Sequence, residues 1–118
     1  MRVLIASGER DTATGLGDLL RSEGVEVRLA SGGMQVPRAV AEFIPDAVLM
    51  DLAMPDHGGL DVAQELLRCY GEQCPVLVAV SSRSSDCDRQ RAASSGFQHF
   101  VAQPYDPRAL LKLVLSLH

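Results

Sequence analysis

Apolar positions along this chain follow two different periods. Unbroken runs of Val, Ile, Leu and Ala occur at Val3 to Ala6, Ala47 to Met50 and Val76 to Val80, with a weaker run at Phe100 to Ala102. Runs of that kind predict strands covered on both faces. Val25 to Leu29 instead alternates apolar with charged residues, which predicts a strand with one side in water, near a sheet edge. Helix-length segments lie between the runs. Thr12 to Glu23 sets Leu16, Leu19 and Leu20 on one face and stops at Gly24. Leu60 to Tyr70 repeats the pattern with Val62, Ala63, Leu66 and Leu67 before Gly71. Asp86 to Ser95 is only weakly amphipathic and stops at Gly96, and Pro107 to Leu117 opens with proline at a first helical position after Asp106. A second helix is short and begins near Pro37, because proline lacks the N–H that a helix started just after Gly33 would need there.

Strand and helix thus alternate through the chain, which predicts one α/β domain over residues 1–118. Its expected form is a doubly wound, flavodoxin-like (βα)5 fold with a parallel five-stranded sheet in the order 2-1-3-4-5 and right-handed crossovers. Ligands of such open sheets sit beyond the carboxyl ends of the strands, at the switch point between the first and third. The segments placed there are Ser7 to Thr12, Asp51 to Gly59, Ser81 to Asp86 and Gln103 to Tyr105. Ser81-Ser82-Arg83-Ser84-Ser85 reads as a mobile polar loop.

Composition narrows the function classes. Of 118 residues, 47% are hydrophobic and 22% charged, enough for a core without disulfide or metal support. Fifteen acidic against eleven basic residues give a net charge of -4, and no basic stripe offsets it, so nucleic acid is not an expected partner. Cys69, Cys74 and Cys87 have no paired spacing, which points to a reducing cytoplasm and away from a zinc site. The first apolar run is too short for a signal peptide, and nothing approaches the roughly 18 apolar residues of a spanning helix. A soluble cytoplasmic protein without a membrane partner is expected. His57 and His99 form no metal or catalytic constellation with the cysteines, and no catalytic triad is visible, so no enzyme is expected.

The most specific motif is Val48-Leu49-Met50-Asp51-Leu52-Ala53-Met54-Pro55 followed by Gly58-Gly59, an acidic residue ending a buried strand before a constrained turn. Together with Ser81 at the fourth strand end and Gln103-Pro104 at the fifth, it resembles the receiver domains of bacterial two-component response regulators over essentially the whole chain. The resemblance implies a phosphoacceptor at Asp51, phosphoryl contacts at Ser81 and Gln103, a switch aromatic at Phe100, and a cis peptide at Gln103-Pro104. It implies docking or dimerisation through the fourth helix, fifth strand and fifth helix, where Arg89, Arg91, Phe97, Leu110, Lys112 and Leu113 are the candidates. A histidine kinase or a fused output domain is the implied partner.

The departures from the family pattern carry equal weight. Receiver domains end the first strand with an acidic pair that holds Mg²⁺ with the acceptor; this chain has Ser7-Gly8 there. A hard cation prefers several oxygen ligands, so Mg²⁺ binding is expected to be weak or absent and no cofactor is assigned. Glu9 could replace the pair only if the strand slipped by one residue, which would reverse its core face. Gln103 stands in place of a Lys whose charge stabilises the transferring phosphoryl group, and an amide cannot supply that charge. Asp51 is then held by backbone N–H groups or by Ser7, and Phe100, lacking a hydroxyl, stays buried. The expected function is an atypical receiver acting as an interaction module. Two alternatives stay open: an inefficient conventional phosphoreceiver using Asp51, and a flavodoxin-like binder whose hydroxyl-rich first loop holds a small ligand. Tyr70 and Tyr105 are poorly placed to sandwich a flavin.

Overall fold

The computed structural model describes residues 1–54 and 58–117. Strands β1 (Arg2–Ala6), β2 (Glu26–Ala30), β3 (Ala47–Asp51), β4 (Val76–Ser81) and β5 (His99–Ala102) form a parallel sheet in the order β2-β1-β3-β4-β5. Helices α1 (Arg10–Ser22), α2 (Val36–Phe43), α3 (Gly59–Tyr70), α4 (Asp86–Ser94) and α5 (Pro107–Leu115) alternate with them. The predicted fold class, strand order and edge position of β2 are all observed. So are the helix starts at Pro37, where proline occupies the first turn of α2, and at Asp106, whose carboxylate accepts the Arg108 N–H at 3.0 Å.

Successive side chains of a strand point to opposite faces, and here they sort the core into two layers. Leu4, Ala6, Val48, Met50, Leu77 and Ala79 join residues of α2, α3 and α4. Val3, Ile5, Ala47, Leu49 and Val78 join residues of α1 and α5. Both faces are apolar at every position of β1 from Val3 to Ala6, which is why the inner strands read as unbroken runs.

Leu19 and Leu67, both placed on apolar helix faces by the sequence, lie outside the buried core. Leu67 is 38% exposed, while Val62, Ala63 and Leu66 are buried. It extends past the edge of α3 to lie over Gly96, where an added Cβ would collide with it. Gly96 also has φ +111, so glycine is required there for both space and conformation. The end of α2 departs from glycine usage: Ile44 adopts the left-handed region at φ 52 with 69% exposure. A β-branched side chain is strained in that region.

Candidate functional site

The two-layer alternation continues through the strand ends and decides which candidate residues meet. Asp51, two positions after Leu49, faces α1 and lines a pocket with Ile5, Ser7, Thr12, Leu16, Gln103 and Tyr105. Ser7 follows Ile5 by the same step, and Ala6 pairs with Met50, so Ser7 stands level with Asp51 on the neighbouring strand. Ser81 has the opposite parity. It is buried and lines the groove between α3 and α4 with Leu52, Gly59, Arg83 and Arg91. Gly8 opens on a third cleft, shared with Ser7, Arg10, Ser31 and Gln35. The structure therefore brings Ser7, Asp51 and Gln103 together and sets Gly8 and Ser81 on adjoining openings.

Among the described residues Asp51 is held by backbone: its Oδ1 accepts the Ala53 N–H at 2.9 Å, and the Leu52 N–H crosses to the Val80 carbonyl at 3.1 Å. Ser7 does not contribute. Its Oγ is turned to its own loop, accepting the Glu9 N–H at 3.1 Å, a local bond that a hydroxyl makes readily after a strand. Ser81 behaves alike, its Oγ accepting the Arg83 N–H at 3.0 Å. Gln103 is tied to the β4 end through its N–H, 2.8 Å from the Ser81 carbonyl, and the following bond to Pro104 is cis, as the resemblance implied. Gly59 permits α3 to start directly against the end of β3, since a Cβ there would stand 3.2 Å from the Leu52 Cα and 3.3 Å from the Asp51 carbonyl oxygen.

Tyr105 falls in the Gln103 to Tyr105 segment that the sequence places at the strand ends without assigning it a role there. It half-buries its ring in the Asp51 pocket, and its phenol is pushed up from the ordinary tyrosine range by burial first, then by the negative charges of Asp51 and Glu9. The signal was its distance of two residues from Gln103. Glu9 itself lies beyond the strand, at the cap of α1, where its carboxylate accepts the Thr12 hydroxyl at 3.2 Å.

On the opposite edge, Phe100 is only partly buried, against the expectation that it stays inside. Arg89 stacks its guanidinium 4.8 Å from the ring centroid. Of the six docking candidates, Arg89, Arg91 and Lys112 are exposed and Leu113 is partly buried, but Phe97 and Leu110 are core residues at 5% and 2% exposure. Phe97 is turned inward by its N–H bond to the Ala92 carbonyl, and Leu110 shares the inner face of α5 with Val114. The segment read as a mobile loop is tied down at Ser81 and again at Ser85, which forms a capping box with Asp88 at the start of α4. His57 and Pro55 lie outside the described residues. Among the described residues no group of three or more His, Cys, Asp or Glu could hold a metal ion, and no helix is long and apolar enough to cross a membrane.

The family model described as the response regulator receiver domain matches residues 3–115. The chain is 31% identical over 117 residues to the response regulator MprA of Mycobacterium leprae, covering 99% of this chain and 50% of that protein. It is 36% identical over 118 residues to the sensory transduction protein RegX3 of Mycobacterium tuberculosis, covering 98% and 49%. The chain thus spans about half the length of these curated relatives. Among solved structures, the BeF3-activated N-terminal receiver domain of Klebsiella pneumoniae RstA superposes with a TM-score of 0.90 at 18% identity, covering 99% and 97%.

Proposed function

Because this chain belongs to the response regulator receiver domain family, we propose that it is a signalling interaction module that works without ordinary Mg²⁺-dependent phosphorylation of Asp51. The observation that carries this reading is the lining of the Asp51 pocket. Among the described residues that line it, Asp51 is the only charged one, and the polar groups beside it are the neutral Ser7, Thr12, Gln103 and Tyr105. Mg²⁺ demands near-ideal octahedral geometry and is held by one or two carboxylates together with several waters; among the described lining residues Asp51 is the single carboxylate. Ser7 has its hydroxyl engaged by Glu9, and Gly8 has no side chain and opens elsewhere. The donor set of the described residues does not fit the ion. Without metal or lysine, none of the described residues lining the pocket offsets the charge that gathers on a phosphoryl group in flight. The protein is on this reading a cytoplasmic binding partner and not an enzyme.

Its output is contact through α4, β5 and α5, with Arg89, Arg91, Lys112 and Leu113 as the residues available at that surface. A sensor kinase or an output domain in a longer protein is the partner class that fits, given that the relatives are twice this length. The test is incubation with acetyl phosphate, with and without Mg²⁺, followed by intact-mass spectrometry. No phosphoryl adduct is expected. A Mg²⁺-dependent adduct that Asp51→Ala abolishes would overturn the proposal and make the chain a conventional phosphoreceiver.

A further inference from the structure

The fourth helix is attached unevenly. Ala92 is its only buried side chain. Its C-terminal end is anchored several times: Ser95 accepts the Gln64 side-chain amide at 3.3 Å, Leu67 covers Gly96, and Phe97 enters the core. Among the described residues the N-terminal half has no equivalent. Asp86, Cys87, Gln90 and Arg91 are exposed, and the capping box of Ser85 and Asp88 satisfies the helix locally without tying it to the sheet. Among the described residues it is Arg89 that reaches across. Its guanidinium lies over Phe100 of β5, and its Nε donates to the Ser84 carbonyl at 3.2 Å, fastening the loop before the helix as well.

We infer that the first two turns of α4 form a separately opening unit of this domain, latched to the sheet by Arg89 over the Phe100 ring. The helix start and the ring are then released together, because one side chain holds both. Opening means unwinding, since a helix of nine residues is marginal once detached. A cation–π contact at an exposed site is worth about a two- to fivefold change in an opening equilibrium.

The experiment is amide hydrogen exchange on the 118-residue chain, comparing the unchanged protein with Arg89→Ala, Phe100→Leu and the double variant. Alanine has the higher helix propensity, so any acceleration in Arg89→Ala cannot come from weakened intrinsic helicity. The amides of Arg89 to Ala92 should exchange about two- to fivefold faster in each single variant, with no further gain in the double variant. The amides of Phe97 and of the inner strands should keep their rates. Unchanged rates in Arg89→Ala would overturn the latch. So would acceleration spread over the whole sheet, or effects of the two substitutions that simply add, because either shows that Arg89 and Phe100 do not act as one local contact.

Discussion

Restoring a single acidic residue should expose how the Asp51 pocket has been rebuilt. Ser7 and Asp51 share that pocket and stand level on adjacent strands. Neighbouring strands lie roughly 5 Å apart, so Ser7→Asp brings a second carboxylate to about that distance from the first. Two unit charges at roughly 5 Å repel by about 1 to 3 kcal/mol for effective dielectric constants between 80 and 20. In a domain of this size each kcal/mol lowers Tm by roughly 4 °C. Ser7→Asp is therefore expected to melt earlier at neutral pH. Repulsion raises the folded-state pKa of the pair, so the loss is present above that pKa and is relieved as pH falls through it. Millimolar Mg²⁺ should relieve it too, by giving both carboxylates a common counter-charge. The assay is thermal melting with and without Mg²⁺ at several pH values, beside the unchanged protein, whose Tm should not respond to the ion. An Asp51-dependent rise in Tm of the unchanged protein on adding Mg²⁺ would refute the reasoning about the donor set. A Ser7→Asp protein melting normally and indifferent to Mg²⁺ would refute the shared pocket.

Further outcomes follow from the same geometry. Ser7→Asp, Gly8→Asp and Gln103→Lys combined should acquire a phosphoryl adduct from acetyl phosphate well beyond the sum of the separate variants, seen by intact mass, because metal and lysine act on one developing charge. Alkaline titration followed by tyrosinate absorbance should show Tyr105 ionising above the ordinary tyrosine range, and Asp51→Asn should lower its pKa by removing one of the charges that raise it. The same shift makes part of the stability present below the ordinary tyrosine pKa and lost as pH rises through the folded value, a loss that Tyr105→Phe should abolish in melting curves. Ile44→Gly should stabilise the fold by about 1 kcal/mol, since the left-handed conformation costs an ordinary residue roughly 1 to 2 kcal/mol and glycine loses part of that gain to chain entropy; denaturant melts check it. Gly59→Ala should destabilise by about 1 to 3 kcal/mol, because the nearest obstacles to its Cβ include the β3 backbone, which cannot yield as a side-chain tip can.

Most of the architecture was legible in the linear chain because it depends on local periods. Unbroken runs against the alternating Val25 to Leu29 separated inner strands from an edge, and glycine and proline marked the helix ends. The absence of acidic residues at Ser7 and Gly8 and of lysine at Gln103 was likewise plain, being a matter of residue identity at strand ends. Other features depend on which surfaces meet. Leu67, Phe97 and Leu110 all carry apolar side chains, and periodicity could not tell that the first would lie over Gly96 in partial exposure while the others entered the core. Nor could it separate Asp51 from Ser81, each the last residue of its strand, yet facing opposite layers because β4 extends one position further than its pairing with Asp51. The placing of Tyr105 within the influence of Asp51 and Glu9, and of Arg89 on Phe100, joins separate segments of the chain. Local spacing sets which way a side chain leaves its own backbone, and only the packed sheet and helices decide what it finds there.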